Sequence, residues 1–233
     1  MEQFVNGLTL TLPEGAFPLS TDSMVLGDFV KLRANATVLD LGSGGGTLGI
    51  LLCGQDRRCT VTGVELDEQA HLAALENIRR NGLEHRLHSI CADLRTVNRL
   101  FEAGSFQYCV SNPPYFTGGP ASRTPLARRD DCCSPEQLFE AAARMLCYGG
   151  DFYLVHKPER LGQLCGCAVK AGLEPKRLKL VRHRTDGPVT LVLLQCRKGA
   201  KPGLILEEMA LHHSDGRPTE DYRRIYHLQE EQL

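Results

Sequence analysis

The chain has 233 residues, 42% of them apolar, enough for one α/β domain with a full core and at most a small extension. No apolar run reaches the roughly 18 residues of a membrane span, and no basic-then-apolar leader opens the chain, so a cytoplasmic protein without membrane contact is expected. Net charge −1 argues against avid nucleic-acid binding by charge alone, and ten cysteines at spacings that fit no zinc template read as small thiols rather than a disulfide scaffold or a metal site.

Residues 1–36 read as an N-terminal cap segment. From residue 37 short apolar runs alternate with helical patterns. Strands are expected at Thr37–Leu41, Cys59–Glu65, His85–Cys91, Phe106–Ser111, Asp151–His156, Arg177–Val181 and Val189–Cys196. Helices are expected near Thr47–Cys53, Asp67–Arg80, Leu94–Ala103, Pro135–Leu146 and Pro158–Ala171, the second ended by Asn81-Gly82. Strands separated by helices require right-handed crossovers and a mainly parallel sheet covered on both faces. The last two strands have no helix between them and are expected to pair as an antiparallel hairpin at Asp186-Gly187-Pro188. The domain is expected to span 37–200, with 201–233 as a C-terminal extension packing on it. Residues 170–201 hold nine Lys/Arg against Glu174 and Asp186, and such a segment is either a phosphate anchor or a solvated face.

In open α/β sheets, ligands sit at the carboxyl ends of the strands near the switch point. Gly42, Gly44, Gly45 and Gly46 follow the first strand of the domain there. A turn alone needs one or two glycines, so four in five residues suggest backbone close to a ligand. Thr47 stands where the nicotinamide fingerprint wants Gly or Ala, which lowers a dehydrogenase reading. Three acids occupy successive strand ends. Asp40 is placed to meet a ligand ammonium, Glu65 to accept ribose hydroxyls, and Asp93 to reach an adenine edge; for each the plain alternative is a helix cap or solvent exposure. Together with the glycines they resemble the S-adenosylmethionine site of class I methyltransferases.

Asn112-Pro113-Pro114-Tyr115 lies 70 residues after Gly42. The exocyclic amine of adenine is a weak nucleophile because its lone pair is delocalised into the ring. Two acceptors, the Asn112 amide oxygen and the Pro113 carbonyl, would localise that pair. Neither proline has an N–H and both fix φ, so the loop is stiff and offers acceptors rather than donors. Tyr115 gives a flat face for a base, and Phe116 a second apolar wall. A base in a duplex cannot enter such a slot, so the target must be flipped out or unpaired. Thr117–Cys133 is long for a connection and reads as a mobile lid or binding loop, with Arg123, Arg128 and Arg129 as candidate RNA contacts or as partners of Asp130 and Asp131.

Gly42–Gly46, Glu65, Asp93 and Asn112–Tyr115 match the amino-methyltransferases of the N6-adenine and N5-glutamine type. Leu19–Leu26, Ala127-Arg128, Lys198–Lys201 and the tail His213–Tyr226 resemble segments of the bacterial tRNA(Val) adenine N6-methyltransferases. The resemblance implies a Rossmann-like class I fold with a mainly parallel seven-stranded sheet and an antiparallel strand near the C-terminus. It implies S-adenosyl-L-methionine as methyl donor, S-adenosyl-L-homocysteine as product, no metal, and methylation of N6 of an adenine in tRNA next to the anticodon. Carried across, Asp22 would lie near the cofactor's amino-acid end and Asn112 would border both cofactor and target. A monomer or a homodimer fits equally. The rival readings are glutamine methylation, whose enzymes carry a helical substrate domain that about 36 residues cannot supply, and guanine-N2 methylation of ribosomal RNA, whose motif often ends in Phe.

Overall fold

The computed structural model describes residues 2–5, 8–11, 20–55, 58–113 and 133–226. Strands β1 (Glu2–Val5) and β2 (Leu8–Thr11) pair as an antiparallel hairpin, followed by α1 (Thr21–Phe29). The alternating domain comprises β3 (Thr37–Leu41), α2 (Thr47–Gln55), β4 (Thr60–Glu65), α3 (Glu68–Arg80), β5 (Leu87–Cys91), β6 (Phe106–Ser111), α4 (Pro135–Met145), β7 (Leu146–His156), α5 (Leu161–Lys170), β8 (Leu173–Arg184) and β9 (Val189–Lys198). β10 (Ile205–His212) and α6 (Glu220–Tyr226) follow. The main sheet has the order β10-β8-β9-β7-β6-β3-β4-β5, in which only β9 runs against its neighbours.

The local chemistry explains where helices start and stop. Asp67 caps α3 by accepting from the Ala70 N–H, and Gly82 (φ 61°) turns the chain out after Asn81. Ser134 and Gln137 form a reciprocal capping box on α4, with Pro135 at its first position. Side chains alternate across the sheet. Val38 joins a core layer with Leu26, Phe29, Ile50 and Ile78 on one face, whereas Leu39 and Leu41 join Leu138, Phe139, Met145 and Leu164 on the other. Strands buried on both faces read as continuous apolar runs, as β3 and β9 do.

The expected hairpin between β8 and β9 is present, with the Gly187 N–H donating to the Arg184 carbonyl at 3.0 Å. Two expectations change. The sheet has eight strands rather than seven, because part of the presumed extension adds β10 in parallel beside β8. Met209 and Leu211 turn inward, and Glu207 pairs with Arg177 (2.8 Å) and Lys179 (3.0 Å) of the neighbouring strand. The helix expected at Leu94–Ala103 is a 3-10 turn, Leu94–Arg99, which buries Val97 alone before the chain turns at Gly104 (φ 79°). The nine cysteines among the described residues are thiols, and burial raises the pKa of Cys109 and Cys196.

Candidate functional site

The glycine turn is fixed from three sides. The Gly42 and Ser43 N–H groups donate to the Val64 carbonyl at 2.9 and 3.2 Å, tying the turn to the end of β4. The Gly44 N–H donates to Glu65 Oε2 at 2.7 Å, and Asn77 Nδ2 of α3 donates to the Gly45 carbonyl at 3.0 Å. Gly42, Gly44 and Gly46 have φ of 75°, 53° and 83°, where a side chain is strained. A Cβ added at Gly42 or Gly44 would meet no atom within 4 Å, so open space lies in front of the turn.

Asp40 sits directly before this turn. It is 1% exposed, and neither carboxylate oxygen has a hydrogen-bond partner. Burial, followed by the negative charge of Glu65, raises its pKa from 3.8 to about 8. An isolated buried carboxylate is costly, and a cation arriving from the open space would relieve it. Glu65 uses one oxygen for the Gly44 N–H and the other for the Asp67 N–H at 2.8 Å. Each oxygen keeps a further acceptor position. Asp93 follows β5 as the plain alternative foresaw: it caps the 3-10 turn by accepting from the Arg95 N–H and pairs with the Arg95 guanidinium. Reaching an adenine edge requires Arg95 to share that carboxylate.

Asn112 leaves β6 beside the glycine turn. β3 and β6 are adjacent and parallel with Asp40 opposite Val110, so Gly42 and Asn112 leave neighbouring strand ends at the same level. Ser111 Oγ donates to the Leu41 carbonyl at 2.7 Å and locks the two strand ends together. Asn112 Nδ2 donates to Ser23 Oγ at 2.9 Å, and Ser23 is 7% exposed. With one N–H of the amide directed at Ser23, the amide oxygen is turned away from Ser23. Pro113 is buried. Asp22, beside Ser23 in the first turn of α1, has a raised pKa because burial outweighs the attraction of Lys157.

The structure thus brings Asp22, Asp40, Gly42, Gly44, Gly46, Glu65 and Asn112 to one end of the sheet, with Asp93 at its β5 edge. Tyr115, Phe116, Arg123, Arg128 and Arg129 lie outside the described residues, as do residues 117–132 of the expected lid. Ser23 was not singled out from sequence. It lies in the segment that carried the resemblance, but its partner is 89 residues away and no local pattern marks it. The basic segment 170–201 is largely engaged by the protein itself. Arg177 and Lys179 pair with Glu207, Arg197 with Asp151, and Lys198 donates to the Leu146 carbonyl.

The residues present fit a nucleoside ligand that carries an ammonium group: an unpartnered buried carboxylate, a glycine cradle open to ligand, and a strand-end glutamate. Comparison with known proteins agrees. A predicted O-methyltransferase from Agrobacterium tumefaciens has the same fold, with a TM-score of 0.75 over 89% of this chain and 96% of that one at 18% identity. A Streptomyces coelicolor geranyl diphosphate C-methyltransferase, solved with S-adenosyl-L-homocysteine, shares it at a TM-score of 0.56 over 76% of this chain and 78% of that one, at 13% identity. The fold and site define an S-adenosylmethionine-dependent methyltransferase of class I. Residues 19–163 match the Methyltransferase small domain, and the chain belongs to that family. Among its relatives, proteins named tRNA1(Val) (adenine(37)-N6)-methyltransferase are 32% identical in Tolumonas auensis (89% of this chain, 87% of the relative) and 30% identical in Bacteroides fragilis (84% and 85%).

Proposed function

We propose that this enzyme methylates the exocyclic N6 of an adenine in RNA, in tRNA next to the anticodon. The observation that carries the reading is Asn112, held level with the glycine turn by donating one N–H to Ser23. The named activity of the relatives supports the substrate.

S-adenosylmethionine supplies an electrophilic methyl group on a sulfonium sulfur. Asp40 would pair with its ammonium, Asp22 would lie near the same end, Glu65 would accept from the ribose, and the glycines would let the backbone close on it. The Asn112 amide oxygen and the Pro113 carbonyl accept the two N–H bonds of the target amine, which turns the nitrogen lone pair toward the methyl. After transfer the nitrogen sheds one proton to water, and Asn112 need not ionise at any stage. Alignment of this kind is worth on the order of 7–11 kcal/mol at best. Tyr115 and Phe116 hold the flipped base, and Arg123, Arg128 and Arg129 meet phosphate.

The test is labelled-methyl transfer onto bulk RNA from cells lacking the enzyme, followed by nucleoside analysis. N6-methyladenosine beside an anticodon is the expected product. Label on guanine, or on a glutamine-bearing peptide and not on RNA, would refute the assignment.

A further inference from the structure

We infer that His183, His212, Tyr222 and Tyr226 form a stacking track for the unpaired nucleotides flanking the target base; this rests on the RNA reading above. The row is continuous. Ring centroids are 4.9 Å apart between His183 and His212, 4.7 Å between His212 and Tyr222, and 4.3 Å between Tyr222 and Tyr226. At its inner end the Tyr226 hydroxyl lies 3.3 Å from the Thr21 hydroxyl. Thr21 is two residues before Ser23, which holds Asn112. At its outer end His183 is exposed.

The topology puts this row on the catalytic rim. β9 opposes both β7 and β8, so β8 points the same way as β7, and β10 runs parallel to β8. His183 and His212 therefore sit at the same sheet end as Asn112 and the glycine turn. From the target strand β6, the cofactor half of the rim lies toward β5 and the aromatic half toward β10.

Packing accounts for only part of the row. Tyr222 and Tyr226 lean on the hydrophobic core. His183 is exposed and His212 half-buried, and they continue the line of rings outward; Arg184, next to His183 in the chain, is paired with Asp186. Solvent-accessible rings with polar tips are the materials from which single-stranded nucleic-acid platforms are made, and every base offers a π-face to stack at the open end of the row.

The experiment measures binding of a fluorescent hairpin RNA, with an adenine-bearing unpaired loop, to the full chain and to H183A, H212A, H183F and H212F. A fully paired RNA duplex and S-adenosyl-L-homocysteine serve as control ligands. Each alanine variant is expected to bind the hairpin about tenfold more weakly and to raise its KM with kcat unchanged. The phenylalanine variants should bind as the wild type does, and neither control ligand should be affected. Wild-type affinity in the alanine variants overturns the track, as does equal weakening by alanine and phenylalanine, which would assign the effect to imidazole charge. If the wild type methylates the hairpin, such a failure leaves the RNA reaction standing; if it methylates and binds no RNA, both fall.

Discussion

Replacing Asp40 by asparagine removes a buried carboxyl group that the fold leaves without a hydrogen-bond partner. The carboxyl is 1% exposed, accepts no hydrogen bond, and has its pKa raised to about 8, first by burial and then by Glu65. In the unfolded chain it ionises near 3.8. Between those values the folded protein holds a proton that the unfolded chain releases. The group's stabilising contribution is therefore complete below about pH 4 and is lost as pH rises through about 8. The slope is at most about 1.4 kcal/mol per pH unit. At roughly 2–4 °C per kcal/mol for a chain of this size, the Tm of D40N should gain about 3–6 °C on the wild type with each pH unit from about pH 5 to about pH 7. Thermal shift of the ligand-free proteins across a buffer series measures this. S-adenosyl-L-homocysteine should reverse the preference: its ammonium needs the ionised carboxylate, so wild-type affinity should rise up to tenfold per pH unit toward pH 8 and that of D40N should not. Parallel melting curves, with the same pH slope for both proteins, would refute the account of Asp40 as an uncompensated acid.

N112A should retain S-adenosyl-L-homocysteine affinity in calorimetry and lose turnover by about 10²–10³-fold, the scale for one preorganised polar group; lost ligand affinity with intact turnover would contradict its assigned role. S23A should lower kcat roughly fivefold, equivalent to about 1 kcal/mol for one hydrogen bond, with ligand affinity unchanged, and S23T should restore it. G44A places a Cβ in the open cradle at a φ of 53°; it should weaken S-adenosyl-L-homocysteine binding at least tenfold in titration while backbone strain lowers stability by about 1–2 kcal/mol. R128A and R129A should each reduce the salt slope of RNA binding by about 0.7, measured by anisotropy at several ionic strengths; an unchanged slope would assign both arginines to Asp130 and Asp131.

The parts of the site that were legible in the sequence are those written in contiguous residues. Four glycines in five residues after a strand mark backbone free to take positive φ, as Gly42, Gly44 and Gly46 do, and Asn-Pro-Pro is stiff by its own covalent structure. Both therefore signal without knowledge of neighbours. Ser23 could not signal, because its meaning comes from Asn112 across the fold. The basic run 170–201 was open to two readings for a related reason. Counting charge along one stretch is blind to Glu207 and Asp151, which the strand pairing sets beside Arg177, Lys179 and Arg197. β10 was hard to read because an edge strand carries a mixed pattern: Ile205 and Leu206 face solvent while Met209 and Leu211 are buried. Asp93 lay open to two readings, and in the structure it makes the local cap, whose donors are two residues away.

The ion pair between Asp28 and Arg224 (3.0 Å) joins positions 196 apart, and burial of Asp28, which alone would raise its pKa, is outweighed by that guanidinium. Loop closure over such a span costs little more than over a short one. Its effect is temporal: on the ribosome, α1 acquires its α6 clasp only after the segment around residue 224 has emerged. Two contacts from that late segment, Arg224 on Asp28 and the Tyr226 hydroxyl on Thr21, thus reach back to the helix that carries Ser23.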